Sequence, residues 1–133
     1  MESTISFDLV SPEQLVFNDK AGMIIVPATE GDIGVLPGHS KFLSSLRPGR
    51  VMVYGEDKHL LQSFFVSWGF VEINPEKCIV LAEEVEEMSA LDKDTIKQQI
   101  RDLENETIDE SKQQYIIAKS KIEALNSSHY EKI

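Results

Sequence analysis

Every glycine and proline of this chain lies in its first part. The seven glycines end at Gly69 and the five prolines at Pro75, so Glu76 to Ile133 contains neither. Both residue types punctuate turns and interrupt helices, so a chain that spends all of them early changes structural class along its length. With 133 residues there is room for one modest core and an appendage. Strand-like alternation gives way to longer spacing near Glu86-Glu87-Met88-Ser89, which divides the chain into residues 1–86 and 87–133.

The first part reads as short strands. Ile5, Phe7 and Leu9 alternate with Ser6 and Asp8, the period of a half-buried strand. Met23 to Val26 is an apolar run closed by Pro27, and Val51 to Tyr54 ends at Gly55. Leu60 to Val66 and Phe70 to Ile73 read as separate strands, and Cys78 to Leu81 follows the Asn74-Pro75 turn. Short strands at close intervals, with no helical stretch before Val85, predict a β-sandwich or barrel rather than a doubly wound sheet.

The tail switches period. Asp92 is a good N-cap for a helix carrying Ile96, Ile100 and Leu103 on one face. Asn105-Glu106 offers a break, and Thr107 with Glu110 has the form of a capping box opening a second helix. That helix aligns Tyr115, Ala118, Ile122 and Leu125. The fold class expected is α+β, an N-terminal all-β sandwich followed by a C-terminal antiparallel two-helix hairpin. Such helices are marginal alone, so their apolar stripes must bury against each other, the sandwich or a partner.

Candidate chemistry is sparse. The stretch Gly31 to His39 lacks both the GxGxxG spacing and the Lys-Ser/Thr of phosphate-binding loops, and reads as a rigid, turn-rich loop. His39, His59 and His129 fall in separate segments, and no nucleophile elbow accompanies them. Cys78, the single cysteine, sits in an apolar run and reads as a small buried hydrophobe. Glu83, Glu84, Glu86 and Glu87 lack calcium-loop spacing and read as a solvated acidic hinge. Trp68-Gly69-Phe70 either fills the core or supplies an aromatic anchor for a partner. The formal net charge of −10 argues against nucleic acid and against attraction to anionic membranes. The N-terminus lacks the basic and apolar regions of a signal peptide, and no apolar run approaches the roughly 20 residues that span a bilayer. No catalytic site, metal or cofactor is expected.

The run Gly31 to Gly49, GDIGVLPGHSKFLSSLRPG, closely resembles the loop-and-strand signature of epsilon subunits of bacterial F-type ATP synthases. Phe7 to Glu13 resembles that family's first strand and turn, and Phe65 to Ile73 its later strand pair. The order of sandwich then helix pair is similar throughout. The resemblance implies a non-catalytic rotor protein of the central stalk, peripheral on the cytoplasmic face of the bacterial inner membrane without lipid insertion. Its partners would be the gamma subunit, the ring of c subunits and, through an extended hairpin, the alpha/beta head.

The same resemblance implies residue roles. It assigns Glu30, Gly31, Asp32 and His39 to the c-ring contact, and Phe42 and Leu43 to gamma. A hairpin that inhibits ATP hydrolysis would use Lys112, Lys119 and Lys121, within a tail of seven basic against eleven acidic residues from Glu86 onward. Two positions depart from the family pattern: Lys41 stands where proline is usual, and Thr95-Ile96 follow Leu91-Asp92 where an ATP-binding motif has Arg-Ala. Loss of that arginine removes a bidentate phosphate partner. The alternative function, a regulatory protein sensing nucleotide through the hairpin, is therefore disfavoured.

Overall fold

The computed structural model describes residues 3–104 and 109–127. Eight strands come first: β1 (Ile5–Val10), β2 (Leu15–Ala21), β3 (Met23–Ala28), β4 (Gly31–Val35), β5 (Phe42–Leu46), β6 (Gly49–Tyr54), β7 (Leu60–Ile73) and β8 (Lys77–Glu87). A single 3-10 turn at Met88–Ala90 leads to α1 (Lys93–Leu103) and α2 (Asp109–Asn126). The strands follow the order β2-β1-β8-β7-β5-β3-β4, with β6 pairing both β3 and β7. This is the expected β-sandwich, followed by two contacting helices.

Alternation places the core. Ile5, Phe7 and Leu9 of β1 are buried with Val71 and Ile73 of β7 and with Cys78, Val80 and Ala82 of β8. Ile24, Val26, Val51, Val53, Phe64 and Val66 face them from the other layer. Each fully buried Leu, Ile or Phe side chain there contributes roughly 1.5–3 kcal/mol.

The long strand β7 joins the layers. Its first half pairs with β6 from Gly49↔Val66 onward, and its second half pairs with β5 as far as Leu46↔Gly69. Consequently β5 and β6 lie end to end along one edge, while β8 runs along the other. Between the halves, Trp68 has φ 50° and Gly69 φ 135°. These dihedrals bend the strand, and only glycine fits at the second position, since a Cβ at Gly69 would overlap the Leu81 carbonyl oxygen across the ladder. What reads in sequence as two strands is thus one bent strand.

Three further segments differ from expectation. Gly31 to Val35 is a strand paired to β3, because Ile33 and Val35 supply an inward face that the intervening glycines mask. Pro27 lies inside β3, which continues to Ala28. The acidic segment Glu83 to Glu87 is the second half of β8. Its glutamates are exposed while Val85 packs against the core, and the pairing with Phe64 to Ser67 holds it extended.

The first helix begins as expected. Asp92 caps α1, accepting hydrogen bonds from the Asp94 amide at 3.0 Å and the Thr95 hydroxyl at 3.0 Å. In α2, Ile117 and Ala118 are the buried pair, while Tyr115, Ile122 and Leu125 are half-buried. Its apolar positions spread around the helix because α2 contacts α1 as well as β6 and β7. The Asn105-Glu106 break, the Thr107–Glu110 capping box and His129 involve residues outside those described.

The bend at Gly69 leads to a stability prediction. Gly69→Ala meets both a left-handed backbone and the Leu81 carbonyl, and is expected to cost about 2–4 kcal/mol. Thermal unfolding of the full chain measures it, and an unchanged midpoint would show that the bend relaxes freely.

Candidate functional site

The β3–β4 turn carries Glu30, Gly31 and Asp32. Glu30 is exposed, and Gly31, at φ 143°, opens β4 in a conformation that favours glycine. Asp32 stands opposite Pro27. Arg47, from the β5–β6 corner, reaches back over this turn. Its guanidinium donates to the Ala28 carbonyl at 2.6 Å and pairs with the Asp32 carboxylate. The amide and hydroxyl of Thr29 both donate to the Ser45 carbonyl, at 3.0 and 2.8 Å. The turn is therefore braced against two strands. A partly exposed ion pair is worth about 0–1 kcal/mol, so the effect of Arg47 is chiefly geometric. Its role was not legible beforehand, since Arg47 and Asp32 are brought together only by the pairing of β3 with β4 and β5.

His39 is not with Asp32. It follows the far end of β4, and the adjacent Gly38 amide donates to the Pro75 carbonyl at 2.9 Å. The His39 ring lies 6.4 Å from that of Phe42 in an edge arrangement, with Nδ1 2.6 Å from the Ser40 carbonyl oxygen. Of the residues grouped by resemblance, Glu30, Gly31 and Asp32 share one end of β4, and His39 joins Phe42 at the other.

Leu43 extends into a larger surface, whereas Phe42, opposite the buried Ile73, stands at the end of the inward row. Across the outer face, Ser45, Phe70, Leu81, Val10 and Leu15 form one row of register partners. In the next row, Leu43 is followed by Glu72, Ile79 and Asp8. Leu43 is 69% exposed, Phe70 56%, Leu15 56% and Leu81 49%, which is unusual for aligned large apolar side chains. Sequence had named the β5 end of this stripe and offered Phe70 as a possible anchor, but not Leu81 or Leu15. The alternation that buries Val71 and Val80 turns Phe70 and Leu81 outward. Asp8, inside this face, is held below the usual carboxylate range by a hydrogen bond from Asn18, with Lys77 adding to it. Trp68 is half-buried at the bend.

The second helix lies against the β6–β7 side, with α1 packed on it. Lys121 donates to Glu86 at 2.9 Å and stands 5.7 Å from the centre of the Phe65 ring. Arg50 donates to the Ser127 carbonyl at 3.4 Å and to its hydroxyl at 3.2 Å. Lys119 lies over the ring of Tyr115 on its own helix, and Lys112 is exposed. The Thr95 side chain, at the position where a phosphate-binding arginine would stand, is engaged in capping α1. That contact and the Asp94 amide lower the pKa of Asp92.

A β-sandwich with two distinct exposed surfaces and a docked helix pair is the form of an assembly subunit. The family described as ATP synthase, Delta/Epsilon chain, beta-sandwich domain, matches residues 4–88. The ATP synthase epsilon chain of Rhodospirillum rubrum is 37% identical over 101 residues, covering 76% of this chain and 75% of that one. That of Thioalkalivibrio sulfidiphilus is 32% identical over 128 residues, covering 96% and 90%. Among solved structures, a chain of the Euglena gracilis mitochondrial ATP synthase (OSCP/F1/c-ring, rotational state 1) superposes with a TM-score of 0.79 at 20% identity, covering 94% of this chain and 81% of that one. A chain of the Tetrahymena thermophila central stalk and c-ring gives 0.58 at 14% identity, covering 90% and 92%. These two show likeness of fold. The chain belongs to the ATP synthase Delta/Epsilon family, and within it to the epsilon chains, a non-catalytic subunit of the complex.

The titratable groups are disposed structurally. His59 pairs with Asp57 in the β6–β7 turn. Among the described residues no group of three or more His, Cys, Asp or Glu could hold a metal ion, and no described helix is long and apolar enough to cross a membrane. Cys78 is buried, which pushes its thiol up to about 12. At neutral pH it stays protonated, and alkylation by iodoacetamide should proceed only through unfolding. Labelling of native chain at the rate of a free thiol would show that β8 opens locally.

Proposed function

We propose that this chain is the central-stalk epsilon subunit of a bacterial F-type ATP synthase, seated between gamma and the c-ring and turning with them. In this reading ion flow turns the ring, and the stalk conveys the rotation to the catalytic head. The subunit lies peripherally on the cytoplasmic face of the membrane. The observation that carries the reading is the pairing of an exposed apolar stripe with a braced polar turn on one rigid sandwich.

The stripe of Leu43, Phe70, Leu81 and Leu15 is the proposed seat for gamma, with Phe42 and His39 at its margin. Apolar rows of this kind supply most of the energy of an interface when covered. The Glu30-Gly31-Asp32 turn is the proposed c-ring contact. A turn already fixed by Arg47 and Thr29 loses little entropy on docking, and a contact that transmits torque must not yield. The helix pair is the proposed regulatory element, inhibiting ATP hydrolysis when it leaves the sandwich and extends toward the head.

The test is ATP hydrolysis by an epsilon-depleted catalytic head titrated with the full chain and with residues 1–88. Saturable binding of both, with inhibition by the full chain alone, is expected. Absence of binding by either would overturn the assignment, and binding without inhibition would leave the tail a strut. Phe70→Asp should weaken gamma binding at least about tenfold, by placing a carboxylate in the covered stripe. Arg47→Ala should leave gamma binding intact and loosen attachment to the membrane sector. Calorimetric titration with ATP at about micromolar concentration should give no heat, since no arginine follows the Leu91-Asp92 pair at the phosphate position. A binding isotherm would revive the nucleotide-sensing reading.

A further inference from the structure

Lys121 is the least exposed of the three lysines that resemblance assigns to the hairpin's regulatory contacts. Its side chain retains only 12% exposure, against 44% for its partner Glu86. The stem of the side chain is covered while its hydrogen bond lies at the exposed edge of the contact, and the groups that meet the ammonium come from the sandwich. One is the Glu86 carboxylate at 2.9 Å, and the other is the face of Phe65, 5.7 Å from the nitrogen. Glu86 and Phe65 are themselves register partners across β8 and β7. The clasp is therefore assembled by the sheet and needs no movement of the sandwich to receive the lysine.

We propose that the Glu86–Phe65 clasp on Lys121 is the catch that holds α2 down on the sandwich. While it is closed, Lys121 cannot reach an acidic surface of a partner. The same charge is thus either spent inside the chain or offered outside it, and the catch sets the balance between docked and released hairpin. Lys119 and Lys112 carry no such exclusion, since one lies over its own helix's Tyr115 and the other is exposed. Arg50, bonded to Ser127, secures the end of α2 beside the catch. Glu86 meets Lys121 only in the docked state, so removing Glu86 penalises that state specifically, by the modest amount of a partly exposed ion pair. The regulatory consequence rests on the proposed role of the hairpin, but the catch itself is a property of the isolated chain.

The experiment is amide hydrogen exchange on the full chain, read across residues 117–126 where exchange reports the opening equilibrium. Glu86→Gln should speed exchange there about threefold and leave the β7 amides unchanged. Glu87→Gln, an exposed neighbour on the opposite side of β8, should change neither. In a Lys121→Met background, Glu86→Gln should have no further effect, because no ammonium is left unpaired. Wild-type exchange at its original rate in Glu86→Gln, or equal acceleration with and without Lys121, would overturn the catch. In the assembled enzyme, Glu86→Gln should inhibit hydrolysis at lower concentration than wild type. Faster exchange without stronger inhibition would leave the catch standing and remove the inhibitory role.

Discussion

The bend of β7 at Trp68 and Gly69 is the constraint on which the remaining geometry depends. On one side of it the strand belongs with β6, and on the other with β5, while β8 follows it along the opposite edge. The backbone of Gly69 approaches the Leu81 carbonyl so closely that no side chain fits between them. That contact lies where β7 passes between the layers that enclose Phe7, Leu9, Val66 and Val80. It also fixes which side of β7 faces out past the bend, and hence the outward position of Phe70 beside Leu81.

From this frame the two ends of the sandwich acquire different surfaces. Near the bend, the end-to-end meeting of β5 and β6 leaves a corner from which Arg47 can reach Ala28 and Asp32. Beyond the bend, the outer face of β5, β7, β8, β1 and β2 carries apolar side chains in register. Before it, β6 and β7 receive α2, and Glu86 and Phe65 stand side by side to meet Lys121. Three contact regions thus follow from one bent strand.

The energetics of the regions differ in kind. The core is held by burial, which is non-directional and tolerant. The Arg47 brace and the Lys121 clasp are directional and individually modest, but they choose among arrangements that burial alone leaves close in energy. A pair of short helices with apolar residues on more than one side has little stability by itself, so where it rests depends on such contacts.

Glycine and proline usage, strand alternation and the Asp92 cap were enough to determine a β-rich first part and a helical tail, because these are local signals carried by neighbouring residues. The Gly31 to Gly49 signature was specific enough to indicate the family for the same reason. What lay beyond the sequence was everything set by pairing at a distance. Gly31 to Val35 and Glu83 to Glu87 are strands because of the partners they meet, although glycines and glutamates conceal the pattern. Arg47 meets Asp32, and Lys121 meets Glu86, only once register is set. His39 and Asp32, close in the chain, are separated by the length of β4. Local propensity decides which elements form, but only tertiary packing decides which side chains face one another, since register and bend are properties of strands taken together.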